Sequence, residues 1–328
     1  MSCFWELSLA ASSAWQKPLS GFSALKAFYV ELGFGFTKIV SLTLHSGDGR
    51  LLLPVKRVGI LYHPKLEKAR AFSCELDKIL RTQGISLWLC SAWDEGKAKP
   101  QVAGSDLILS IGGDGTMLRA ARAVVPHAVP IVGINFGSLG FMTELEAAEA
   151  LDKLPQLLGG EGWIEERAML EAELVSQGKN YHALNDVVVG RGSSARLIQV
   201  ETRIGGEVLT TYRTDGVIVA TATGSTSYSL AAGGPILYPQ AREIILEPVC
   251  SHLTLDKALV LPPEAVIQLK VATSHQAMLS IDGQVELPLR SGDKVEVKLG
   301  PYVARFLRVQ PKTYFYSSLE SRLKGKIS

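Results

Sequence analysis

The stretch at residues 106–124, DLILSIGGDGTMLRAARAV, decides the fold. It opens as a continuous apolar run, the pattern of a parallel strand covered on both faces. Two glycines, an aspartate and a third glycine then lead into a helix. The first N–H groups of a helix lack partners and attract anions. A lone carboxylate at that junction, Asp114, therefore calls for a chemical reason.

Working outward, the same alternation recurs. RVGILY (57–62) reads as a buried strand, followed by a helical stripe at Leu66, Ala69, Phe72, Leu76, Ile79 and Leu80 between Pro64 and Gly84. ISLWLC (85–90) and IVGINF (131–136) are further strands of the same kind. Residues 55–145 are thus expected to form a Rossmann-like α/β domain carrying the GGDG loop. ELEAAEALDKLPQLLGG (144–160) predicts a helix ended by Gly159 and Gly160. The pattern then changes to short alternating segments. They are MLEAELV, HALNDVVV, LIQVETRI, EVLTTYR and GVIVATA, and later AVIQLKVA, AMLSIDG, KVEVKL and VARFLRV, with a hairpin turn at Gly205-Gly206. Residues 146–311 are expected to form a β-rich, antiparallel, sandwich-like second domain.

Composition narrows the classes. The chain has 328 residues, 47% hydrophobic and 20% charged, enough for one large or two ordinary domains. A net charge of +2 gives no excess to track a nucleic-acid backbone. The four cysteines and six histidines show no zinc-ligand spacing, which predicts a reducing, cytoplasmic setting and no protein-held metal. No apolar run reaches the roughly 18 to 20 residues of a bilayer span, so no membrane partner is expected. Residues 1–54 lack both a clear period and a signal-peptide pattern. A regular pattern starts at Val55. Two expectations stand for residues 1–54: translation from upstream of a true start at Val55, or a poorly ordered native extension.

Neither the Walker pattern nor the dinucleotide fingerprint follows any predicted strand. The glycines of SIGGDGTML still let backbone N–H groups approach phosphate oxygens closely. Gly112, Gly113, Gly115 and Thr116 are the candidates for holding a phosphate donor. Asp114 then has a role, because a hydroxyl attacking phosphorus must give up its proton and a carboxylate can accept it. Asn185-Asp186, ahead of a strand, could bind a sugar diol or form an Asx turn. Residues 212–236, YRTDGVIVATATGSTSYSLAAGGPI, place seven hydroxyl side chains within 221–229, between an apolar strand and an expected helix. That placement suggests a ligand cradle.

These segments together resemble the NAD kinases over nearly all of residues 57–318. The resemblance rests on GGDGT (112–116), GSLGF (137–141), ND (185–186), TDG (214–216), TGSTSYSLAAGGPI (223–236), EPVCSH (247–252) and IDGQ (281–284). It implies phosphorylation of the 2′-hydroxyl of the adenosine ribose of NAD, with ATP or another phosphoryl donor and Mg²⁺ carried mainly by substrate phosphates. Asp114 would be the proton acceptor, with Gly115 beside the substrate. Asn185 and Asp186 would grip the ribose and nicotinamide side. Asp215, Thr226, Ser227, Tyr228, Ser229, Leu230 and Ala231 match the nucleotide-contacting segment, and Phe141 an aromatic of the adenine pocket. Arg196, Arg213 and Gln284 fall at further binding positions, and Arg119 could reach phosphate. Ser251 stands where the family pattern has proline, so His252 is left out of the set. The resemblance further implies that residues 312–328 pack back on the first domain and that the protein forms homodimers or homotetramers. A GGDG-type lipid or sugar kinase, and a non-catalytic NAD(H)-sensing protein, are the alternatives.

Overall fold

The computed structural model describes residues 55–137, 140–194, 196–251 and 255–324, plus a two-residue strand pair, Tyr29–Val30 with Lys38–Ile39. The expectations for residues 1–54 otherwise lie outside the described residues, as does His252. The first half is a four-stranded parallel sheet made of β1 (Arg57–Tyr62), β2 (Ser86–Ser91), β3 (Leu107–Gly112) and β4 (Ile131–Asn135), in the order β2-β1-β3-β4. Strands β3 and β4 are buried along their whole length, as their unbroken apolar runs require. Helices α1 (Glu67–Thr82) and α4 (Ala147–Leu158) cover one face through Ala69, Leu76, Leu80, Leu154 and Leu157. Helices α2 (Glu95–Val102) and α3 (Asp114–Val124) cover the other through Ala98, Val102, Met117 and Ala121. Helix α4 starts where Glu146 and Glu149 form a reciprocal capping box. Helix α2 was not among the sequence expectations.

The second half contributes β5 (Trp163–Leu174), β6 (Lys179–Ala183), β7 (Asp186–Arg191), β8 (Ile198–Ile204), β9 (Glu207–Thr214) and β10 (Gly216–Ala220). It continues with α5 (Tyr228–Ala232), β11 (Ile244–Val249), β12 (Leu259–Leu261), β13 (Ile267–Ala272), β14 (Ala277–Ile281), β15 (Val285–Leu289) and β16 (Lys294–Arg308), and the chain then forms α6 (Tyr314–Lys324). One antiparallel sheet runs β12-β11-β10-β7-β14-β15. Its inner residues Val187, Val219 and Leu279 pack against Val200, Tyr212 and Val295 of the facing sheet, which gives the sandwich core.

Two sequence segments divide differently from expectation. HALNDVVV is two strands, because the chain leaves β6, crosses at Leu184 and Asn185, and enters β7 in the opposite sheet. Conversely KVEVKL and VARFLRV are one strand. Gly300-Pro301, which reads as a turn, is accommodated at a shift in register between Leu299 and Val303 while β16 continues. At its far end Phe306 pairs in parallel with Ile131 of β4. The facing sheet of the sandwich, β9-β8-β13-β16, therefore runs directly into β4-β3-β1-β2 as one sheet. Met169, Leu184, Ala304 and Phe306 share a core with Met117 and Ile131 across the junction.

Candidate active site

Asp114 is the first residue of α3, with Gly113 as its N-cap. Its carboxylate faces away from its own helix and is held by the chain that follows β4. The backbone N–H of Phe141 donates to Oδ2 at 2.8 Å and that of Met142 to Oδ1 at 3.0 Å. Gly140 lies so close that a Cβ there would overlap the Asp114 carboxylate. Only glycine permits that approach. Each oxygen keeps a free lone pair, since a carboxylate offers about four acceptor sites.

Asp114, Gly113, Gly115 and Thr116 line a cleft of about 460 Å³ together with His63, Trp93, Arg119 and Gln284. The Arg119 guanidinium lies 4.2 Å over the Trp93 ring, and His63 meets that ring edge-on at 4.4 Å. Arg119 Nε and Thr116 Oγ1 are buried without a hydrogen-bond partner. Burial, and then the neighbouring Arg122, lower the Arg119 pKa against the opposing pull of Glu95. Burial likewise lowers His63. Gln284 ties the second half to this turn: its Nε2 donates to Gly115 O at 3.0 Å and its Oε1 accepts from Arg122 Nη1 at 3.2 Å.

Gln284 follows the tip of the β14–β15 hairpin, where Asp282 adopts φ 52° and Gly283 φ 62°. Asp282 turns inward and accepts from the backbone N–H groups of Leu184, Asn185 and Asp186 at 3.0, 2.7 and 3.2 Å. It thereby fixes the crossover that carries Asn185 and Asp186. Burial, aided by the Asp282 charge, pushes Asp186 up to about 7. Burial also raises Asp282, although its three backbone donors oppose the rise. Asn185 Oδ1 is buried and unpartnered. The hydroxyl-rich loop abuts this crossover, since Thr221 N donates to Asn185 O at 2.9 Å and Gly224 has no room for a Cβ against the Asn185 backbone.

Within that loop several hydroxyls serve the fold. Thr221 bonds Leu184 O at 2.5 Å, Ser225 bonds Ala222 O at 2.6 Å, and Ser229 bonds Glu247 Oε2 at 2.8 Å. Thr226 is buried, Ser227 occupies the N-cap position of α5 without a side-chain cap bond, and Leu230 and Ala231 lie on that helix, while Tyr228 is 45% exposed. Tyr228 and Asp215 line a second cleft, of about 610 Å³, with Arg191, Ser280 and Glu286. Arg191 Nε and Asp215 Oδ1 form an ion pair at 2.7 Å. The β14–β15 hairpin borders both clefts.

Three residues from the sequence set stand apart. Arg196 is exposed and meets His275 at 3.0 Å, and Arg213 is exposed on the edge strand β9. The Phe141 ring is buried against α6, with Arg322 5.8 Å from its centroid, and only its backbone reaches Asp114. His63, Trp93, Arg122, Arg191 and Asp282 were missed. The IDGQ motif pointed to Asp282, but nothing local revealed that its partners are the crossover residues Leu184 and Asn185 and the first residue of β7.

Comparison with known proteins covers both halves. The profile described as ATP-NAD kinase N-terminal domain matches residues 57–162, and that of the ATP-NAD kinase C-terminal domain residues 184–309. The chain is 44% identical over 274 residues to an NAD kinase of Dehalococcoides mccartyi, covering 82% of this chain and 96% of that one. It is 40% identical to an NAD kinase of Chloroflexus aggregans, covering 82% and 99%. Among solved structures it is similar to yeast NADH kinase complexed with NADH (TM-score 0.71, 24% identity, 92% and 94% covered). It is also similar to an NAD kinase from Archaeoglobus fulgidus in complex with ATP (TM-score 0.67, 24% identity, 82% and 99% covered). The lipid or sugar kinase and NAD(H)-sensor alternatives gain no support from these matches.

Proposed function

The chain belongs to the NAD kinase family, and from that premise we propose that it phosphorylates the 2′-hydroxyl of the adenosine ribose of NAD to give NADP, with ATP as donor. The observation that carries the reading is Asp114, a carboxylate pinned by two backbone N–H groups at a cleft that also holds Thr116 and Arg119. Asp114 accepts the proton of the attacking hydroxyl on a lone pair the backbone leaves open. The turn at Gly112, Gly113, Gly115 and Thr116 receives the donor phosphates at the start of α3, where unpaired N–H groups favour anions. Arg119 adds a cation to the same cleft.

The acceptor dinucleotide is assigned to the path from Asn185 and Asp186 along the loop 226–231 to Asp215 and Tyr228. Gln284 joins that path to the turn. Most of the catalysis then comes from positioning and charge stabilisation. Among the described residues no group of three or more His, Cys, Asp or Glu side chains is spaced to hold a metal ion. Asp114 already gives one lone pair of each oxygen to the backbone. A divalent cation such as Mg²⁺ fits this cleft as a companion of the donor phosphates, where it neutralises charge on the transferring group.

The protein is assigned to the cytoplasm as a homodimer or homotetramer. Cys74, Cys90 and Cys250 are free thiols, and among the described residues no helix is long and apolar enough to cross a membrane. Exposed Val208 on β9 and Val260 on β12 suit pairing between copies at sheet edges.

Purified protein given NAD, ATP and Mg²⁺, with product detected by an NADP-specific dehydrogenase, tests the assignment. NADP formation that needs both substrates is expected. Tight NAD binding with no NADP from ATP would overturn it.

A further inference from the structure

Two peptide groups hold the Asp114 carboxylate, and the structure also fixes what holds them. The Phe141 carbonyl and the Met142 N–H belong to one trans peptide plane, so they point in opposite directions. Met142 N–H donates to Asp114 Oδ1 at 3.0 Å, and Arg322 Nη1 donates to Phe141 O at 3.0 Å from the other end of that plane. A cation therefore sits at the carbonyl end of the peptide dipole and the carboxylate at its N–H end. The next plane is pinned in the same way, because Arg308 Nη1 donates to Met142 O at 2.8 Å.

Neither arginine is placed by chance. Arg308 is buried and held by Glu165 Oε2 at 2.7 Å and Glu144 Oε2 at 3.0 Å. Arg322 is 5% exposed on α6, with its guanidinium over the rings of Phe141 and Tyr314 at 5.8 and 5.4 Å. Among the described residues it forms no ion pair with a carboxylate; burial and then Arg308 lower its pKa, against the raising pull of Tyr314 and of the Asp114 charge.

We propose that Arg322, on the C-terminal helix, is a positioning residue for the catalytic carboxylate. It acts through the peptide between Phe141 and Met142, with Arg308 locking the following peptide. Bonding at the carbonyl polarises the amide and strengthens its N–H as a donor. Loss of Arg322 frees this segment to shift, and Asp114 with it. The inference rests on the reading of Asp114 as proton acceptor.

The test is a double-mutant cycle on the full chain, reading kcat and both KM values. R322M keeps the apolar stem against the two rings and removes the donor. A fall in kcat of about 10- to 100-fold, with both KM values within about twofold, is expected for a displaced reacting group. R322K, which restores a charged donor, recovers most of it. On a D114N background R322M adds less than about twofold, since Arg322 works through Asp114. A folded R322M with kcat within about twofold of the parent overturns the inference, as does an undiminished loss on the D114N background. Should R322M not fold, R322L, which likewise has no donor but fills less of the space under the two rings, is read by the same criteria. D114N alone separates the two claims: full turnover there removes the role of Asp114, whereas an inactive D114N beside an active R322M removes only that of Arg322.

Discussion

Replacing Asp114 by asparagine alters two quantities that the structure lets one separate. The carboxylate accepts one backbone N–H on each oxygen, from Phe141 and Met142, both of which are buried. An asparagine offers one oxygen and one NH₂ group. Whichever way the amide turns, its NH₂ confronts an N–H. One buried donor is left unsatisfied, at a cost of about 1–3 kcal/mol. Against a typical stability of about 5–15 kcal/mol, that loss leaves the protein folded at 25 °C. Losing the proton acceptor is a larger matter for rate, on the order of 10²- to 10⁴-fold in kcat. The expected result is a lowered Tm, near-parental NAD affinity by calorimetry, and nearly abolished turnover in the coupled NADP assay. Turnover within about threefold of the parent, in a variant that binds NAD, refutes the assignment of Asp114 as base.

Three further outcomes are expected. Gly140→Ala pushes a methyl group into the Asp114 carboxylate, so kcat should fall at least about tenfold although every catalytic side chain is retained. Asp186 is raised from 3.8 to about 7 by burial and then Asp282, so the folded state holds a proton that the unfolded chain releases; stability is unaffected below the unfolded value, falls as pH rises from about 4 to about 7, and stays low above. Urea unfolding at pH 5 and pH 8 should show this decline in the parent and a flatter profile in Asp186→Asn. Glu165 is opposed by its burial yet held at about 2 by Arg308 and Arg167; its contribution, present above pH 4.5, is lost as pH falls towards 2, and Glu165→Gln, which strands buried Arg167, should destabilise the protein by about 3–5 kcal/mol in denaturant titrations.

The parts of this protein legible in sequence are those whose chemistry is local. The turn at 112–116 could be read because glycines, a carboxylate and a strand-to-helix change stand side by side. The parallel strands could be read because burial on both faces leaves unbroken apolar runs. What escaped depends on partners distant along the chain. Asp282 bonds backbone groups nearly a hundred residues earlier, and Arg322 reaches a carbonyl 181 residues earlier. Backbone acceptors carry no side-chain signature, so neither arginine clamp leaves a trace in composition or spacing. Gly300-Pro301 has the composition of a turn, and only the pairing of β16 with β5 on either side reveals that the strand continues. The Phe141 ring was assigned to the adenine pocket on family pattern, whereas its packing is decided by α6.

The sheet shared between the halves limits how substrates can enter. Strand β16 is hydrogen-bonded into the sandwich along its first part and meets β4 of the Rossmann-like half at its end, so a clamshell opening would have to tear a ladder and expose the core around Phe306. A dinucleotide therefore meets clefts whose walls are already joined through that sheet, with Gln284 bonding the hairpin to the turn at Gly115.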